Sequence, residues 1–117
     1  MVKNVNEKGS ISITKDVFTA IVGETVTKCF GVKGMAGRNK ADGLVQLLRR
    51  ESMSKGVNVH EHDDGSISIE LHIVVDHGVN LRALGESIIS EVHYKVSSAT
   101  GVPVKRVDIY VDSMAIG

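Results

Sequence analysis

The sequence predicts an α+β fold: a two-layer sandwich in which a four-stranded, mainly antiparallel sheet carries two long helices on one face. A short third helix is expected between the halves, giving the order β-α-α-β-β-α-β. Three observations lead there. Several stretches alternate apolar and polar residues with the period of a half-buried strand. Two longer stretches repeat apolar residues at helical spacing, and each ends in Gly-Val (Gly31-Val32 and Gly101-Val102). Finally, the same five letters, Gly-Ser-Ile-Ser-Ile, stand at Gly9–Ile13 and again at Gly65–Ile69, each ahead of one of the helical patterns.

Taken in order, the first copy reads as a strand with one oily and one wet face. Thr14 is placed to cap the helix that follows, Lys15–Cys29, whose Phe18, Ile21, Val22, Val26 and Cys29 share one face. Gly31 is expected to stop it. The glycine-rich segment Gly31–Gly37 reads as an interhelix loop. Lys40–Arg50, with Leu44, Leu47 and Leu48, reads as the short third helix. Val57–His62 and Ile67–Val75 form a hairpin. Asn80 is set to cap a second long helix carrying Leu81, Leu84, Ile88, Val92, Val96 and Ala99, closed by Gly101. In the last strand, Val104–Met114, Val107, Ile109 and Val111 alternate with Arg106, Asp108, Tyr110 and Asp112.

The hairpin register follows from the side-chain period of two. A two-residue Asp64-Gly65 turn would aim His60 and His62 at the core. A three-residue Asp63-Asp64-Gly65 loop instead sets Val59 opposite Ile69 and Glu61 opposite Ile67, with Gly65 left-handed. The second arrangement buries no histidine and is the one expected. The predicted core is Phe18, Val22, Val26, Ile69, Leu71, Ile73, Leu84, Ile88, Val92, Val107, Ile109 and Val111.

The chain has 117 residues, fitting a single domain, 1–117, with one ordinary core. Fourteen basic and fourteen acidic residues cancel, so no bulk field attracts nucleic acid or an anionic membrane. Two Phe, two Tyr and no Trp leave little for stacking on bases. The single cysteine, Cys29, allows no internal disulfide and suits a reducing, cytoplasmic setting. No leader pattern is read at the start, and the longest apolar run, Ile73–Val75, is strand-sized, so direct membrane insertion is not expected.

Four kinds of chemistry can be weighed. His60 and His62, with Glu70 diagonally across the hairpin, have the types of a metal site, but a polar sheet face that happens to be histidine-rich is the expected reading. Cys29 sits on an apolar helix face, where cysteine behaves as a small hydrophobe, and no serine lies in a nucleophile elbow. Asp63 and Asp64 occupy a turn, where aspartate is favoured for local geometry. The Gly-x-x-Gly pattern within Gly31–Gly37, with Lys28, Lys33, Arg38 and Lys40 nearby, is the device by which KH domains clamp a nucleic-acid backbone. Gly37 and Val32 depart from that pattern. The expectation is therefore no catalytic, cofactor or metal residues and no cofactor, with the KH-like nucleic-acid module as the alternative.

The wording of particular segments adds to this. "GSISIT", "CFGVKGMAGRNKADGLVQLLRRESMSKGVNV" at Cys29–Val59, "ELHIVVDHGVNL" at Glu70–Leu81 and "TGVPVKRVDIYVDSM" at Thr100–Met114 resemble the alkaline shock protein family, in its YloU-like branch from Gram-positive bacteria. The resemblance implies a non-enzymatic protein of envelope stress response and cell-envelope homeostasis. It would act by self-association and by binding protein partners. Those partners would be further copies of itself, a membrane-anchored protein, or a component of a fatty-acid kinase system, whose gene commonly neighbours that of this branch. The implied location is cytoplasmic, peripheral to the cell membrane through a partner.

Overall fold

The computed structural model describes residues 2–6, 8–38, 45–47 and 56–115, with side chains for 8–36 and 56–114. In chain order the elements are β1 (Val2–Asn6), β2 (Gly9–Ile13), α1 (Lys15–Thr27), β3 (Val32–Arg38), β4 (Val45–Leu47), β5 (Val57–Glu61), β6 (Ile67–Asp76), α2 (Leu81–Thr100) and β7 (Val104–Ala115). The class is α+β, as expected from the two periodicities.

The strand β6 organises the molecule. Along one edge it pairs in parallel with β7, from Ile67↔Val104 to Asp76↔Ala115. Its other edge is shared end to end: β5 takes Ile67–Leu71 and β3 takes Ile73–Val75, both antiparallel. The parallel pair needs a crossover, and α2 supplies it. Odd-numbered residues of β6, Ile67, Ile69, Leu71, Ile73 and Val75, are all buried. They join Phe18, Val22 and Val26 of α1 and Leu84, Ile88, Val92 and Val96 of α2 in one core cluster. Both helices therefore cover the same face of the sheet.

Local chemistry explains several boundaries. The β5–β6 hairpin has the expected register, with Val59 opposite Ile69 and Glu61 opposite Ile67. The His62 N–H donates to the Ser66 carbonyl at 2.9 Å and closes a three-residue loop, with Gly65 at φ 88°. An L side chain there would be strained, which is why glycine stands at that place. Asn80 caps α2 by accepting from the Ala83 N–H at 3.1 Å, and Gly101 ends it in the left-handed conformation. Gly31 has φ 97°, and a Cβ there would lie 2.6 Å from Val79 Cγ2. Thr14 flanks α1 in an extended conformation, but its side chain makes no capping bond.

Five expectations are corrected. Among the described residues the main sheet has five strands, not four, in the order β4-β3-β6-β5 with β7 on β6. The first Gly-Ser-Ile-Ser-Ile is not among them: β2 pairs with β1, which the sequence reading did not anticipate, in a separate two-stranded hairpin. Gly31–Gly37 is no interhelix loop, because Val32–Arg38 is β3; a bulge between Val32 and Gly34 breaks the alternation that would have revealed a strand. Within Lys40–Arg50, Val45–Leu47 is a strand paired with Ala36–Arg38, not part of a helix. Short apolar runs do not separate the two by spacing. The rest of that segment lies outside the described residues. Finally, ten of the twelve expected core residues are buried, but Ile109 is half-buried and Val111 is 40% exposed. Both lie on β7, an edge strand; Ile109 still packs against the core cluster, and Val111 is the more open of the two.

A smaller difference concerns the end of α1, which stops at Thr27 rather than Cys29. Thr25 and Thr27 turn their hydroxyls back to the Ile21 and Gly23 carbonyls at 2.7 and 2.9 Å. The Cys29 thiol reaches the Thr25 carbonyl at 3.5 Å, and burial pushes its pKa up, with Glu91 adding to the effect.

Candidate functional site

The helix-free face of the sheet brings a connected set of polar side chains together. Alternation makes this unavoidable: if Val57, Val59, Ile67, Ile69, Leu71 and Val107 face the core, their neighbours face outward. The parallel register then sets Ser68 beside Arg106, Glu70 beside Asp108 and His72 beside Tyr110. The antiparallel register sets Asn58 beside Glu70 and His60 beside Ser68.

A connected network results. Asn58 Nδ2 donates to Glu70 Oε2 at 3.0 Å. The same Glu70 oxygen lies 3.7 Å from His72 Nε2, while His72 Nδ1 meets Asp112 Oδ2 at 3.0 Å. The His72 ring stacks on Tyr110, centroids 4.9 Å apart and planes 11° from parallel. At the turn end of the face, His62 Nε2 and Ser68 Oγ are 2.6 Å apart. Arg106 Nε donates to Asp108 Oδ1 at 2.8 Å, which holds the guanidinium pKa above its ordinary value. A shallow cleft of about 460 Å³ opens there, lined by His60, His62, Ser68, Lys105, Arg106 and Asp108.

Asp64 serves the turn rather than the cleft. Its carboxylate accepts from the Ser66 hydroxyl at 2.6 Å and the Ser66 N–H at 2.9 Å, and these two bonds hold its pKa below the usual carboxylate range. The sequence-level candidates thus go different ways. His60 and His62 share the cleft, but Glu70 is turned to Asn58 and His72. Among the described residues no group of three or more His, Cys, Asp or Glu side chains is placed to hold a metal ion.

The Ser68–His62 pair has the composition of a nucleophile and its base. Acyl transfer also needs free N–H donors for the developing oxyanion. Ser68 lies on a strand paired along both edges, where the sheet ladders occupy the backbone amides. The segment Gly31–Gly37 meets the same objection as a phosphate clamp, since β3 is paired with β6 and β4. A second cleft, about 420 Å³ between the two helices, is lined by Ile21, Glu24, Thr25, Lys28, Glu91, Lys95 and Ala99, a mixture of signs with no convergent chemistry.

The His72–Asp112 contact and the Tyr110 stack were not read from the sequence. Both join β6 to β7 across a parallel pair whose register no local turn dictates. The alternating Asp108, Tyr110 and Asp112 were the available signal, lacking only the partner strand.

Comparison with known proteins agrees with the wording of the sequence. The chain is 32% identical over 109 residues to the uncharacterised protein YloU of Bacillus subtilis (strain 168), covering 92% of this chain and 90% of that one. It is 33% identical over 118 residues to the uncharacterised protein Spy1614 of Streptococcus pyogenes serotype M6, covering 99% and 97%. A second protein of that organism, the uncharacterised Spy1535, is 26% identical over 106 residues, covering 91% and 79%. No solved structure matches. Residues 3–116 match the alkaline shock protein 23 family, described by its cell envelope-related function, and the chain belongs to that family.

Proposed function

We propose that the protein is a non-enzymatic component of cell-envelope homeostasis and stress response that works by self-association and by binding protein partners. The observation that carries this reading is the far end of the last strand, where Tyr110, Val111 and Met114 are 47%, 40% and 41% exposed. Apolar groups exposed together mark a contact surface, whereas Phe30, Tyr94 and Ile11, exposed singly, are ordinary surface. The family's envelope-related function supplies the setting.

On this reading the protein reaches the cytoplasmic side of the membrane through a membrane-anchored partner, and a fatty-acid kinase component is a second candidate partner. Among the described residues no helix is long and apolar enough to cross a bilayer. The exposed charges of α2, Arg82, Glu86, Glu91 and Lys95, are of mixed sign, with Arg82 and Glu86 3.5 Å apart, and form no basic face for anionic lipid. The test is sedimentation. Purified protein should stay in the supernatant with protein-free liposomes of anionic lipid at physiological salt, yet fractionate with membranes of its own cells. Strong binding to the bare liposomes contradicts recruitment by a partner.

A further inference from the structure

The geometry points to the free edge of β7 as the surface on which a second copy of the chain docks, pairing the two β7 strands antiparallel about Ile109. This rests on the self-association proposed above and gives it an interface.

The strand is twelve residues long and, among the described residues, pairs on one side only. Natural edge strands are usually blunted by short length, proline or charge. Here proline and basic charge precede or open the strand, as Pro103, Lys105 and Arg106, and Asp108 and Asp112 add charge further along, but the strand is not shortened. The other end keeps Val111 and Met114 40% and 41% exposed. Val111 is patterned as a core residue, continuing the alternation of Val107 and Ile109, yet it stays 40% exposed while its partner on β6, Ile73, is fully buried. Two bulges, at Lys105 and at Asp112, bracket a regular stretch from Arg106 to Val111.

Charge then selects the register. A two-fold axis normal to the sheet keeps both helix layers on one side, so inward residues must oppose inward ones. With Ile109 opposite itself, Val107 meets Val111 and Asp108 meets Tyr110, each twice, inside the regular stretch, and Arg106 comes to lie near the bulge at Asp112. Centring one residue earlier sets Asp108 against Asp108, and one residue later sets Asp108 against Asp112. Like charges directly opposed are destabilising. The Ile109-centred pairing opposes no like charges and covers Val111 with Val107.

The test begins from the full-length chain with Cys29→Ser, so that one cysteine can be placed at will. In the antiparallel pair, Cβ atoms of directly opposed residues lie about 4.5–5.5 Å apart. Ile109→Cys should give a covalent dimer on mild oxidation, whereas Val111→Cys, displaced along the strand from its own copy, should not. Val111→Lys, at an exposed position, should keep the far-ultraviolet circular dichroism of the parent and weaken dimerisation at least ~tenfold by analytical ultracentrifugation. A chain that stays monomeric at several hundred micromolar, ~tenfold above a weak homodimer's range, overturns self-association itself. An oligomer that forms without the Ile109→Cys cross-link and tolerates Val111→Lys leaves self-association standing and overturns the β7 interface. Should Val111→Lys fail to fold, the cross-linking pair decides alone.

Discussion

The two copies of Gly-Ser-Ile-Ser-Ile have identical letters and opposite fates. At Gly9–Ile13 the segment is an outer strand of a two-stranded hairpin, with Ile11 65% exposed and Ile13 only partly buried. At Gly65–Ile69 it opens the central strand of the main sheet, where Ile67 and Ile69 are 0% and 1% exposed. Intrinsic strand preference is the same in both. What differs is the continuation: Glu70–Asp76 extends the second copy and offers two edges to three partners, whereas the first runs straight into α1. Burial comes from the neighbours a strand can recruit, and the five letters do not encode them.

That contrast can be broken most sharply at its isoleucines. Ile69→Ala removes a fully enclosed side chain and should cost about 2–5 kcal/mol in chemical denaturation, while Ile11→Ala should stay within about 0.5 kcal/mol. Equal losses would show that the hairpin is as much a part of the core as β6. The next effect lies where β3 and β5 share one edge of β6. A Cβ at Gly56 would stand 3.0 Å from the Ala36 carbonyl oxygen and 3.1 Å from that of His72. Backbone atoms do not yield as a side chain would, so Gly56→Ala should cost about 1–3 kcal/mol by the same measurement. Gly65→Ala tests the turn that delivers the second copy to the sheet, and its positive φ should make the loss about 1–2 kcal/mol.

The smallest effect is a pH dependence. Asp64 has a folded-state pKa below its ordinary value because Ser66 donates to it twice. Its contribution is therefore complete above the unfolded carboxylate pKa and is lost as pH falls through that value towards the folded one. Asp64→Asn should flatten the acid side of a plot of melting temperature against pH and leave the neutral region nearly unchanged. An unaltered acid limb would mean that the exposed turn carries none of it.

Elements with strong periodicity or a specific local cap were legible: α2 with Asn80 and Gly101, the β5–β6 register, and ten of twelve core positions. Those that failed share a cause. In β3 a bulge and two interior glycines conceal the strand, and β4 is three residues long, too short to show a period. Val111 failed because alternation reports which way a residue points, not whether anything covers it. The outward face was legible as histidine-rich around His60 and His62. Its His72–Asp112 link was not, since it joins residues 40 positions apart through the β6–β7 pairing.

The shared edge of β6 also bears on how the chain is made. During synthesis α1 and β3 leave the ribosome well before the strand on which both depend. Until Ile67–Asp76 has emerged, Phe18, Val22 and Met35, all fully buried at the end, have no sheet to close over them. The β5–β6 hairpin needs only a short loop and can form at once. The parallel β7 must wait for the whole of α2 and arrives last, with a long loop still to close. The nascent chain therefore carries an unfinished apolar surface through most of its length, and binding by a chaperone should persist until residues beyond Asp76 are exposed.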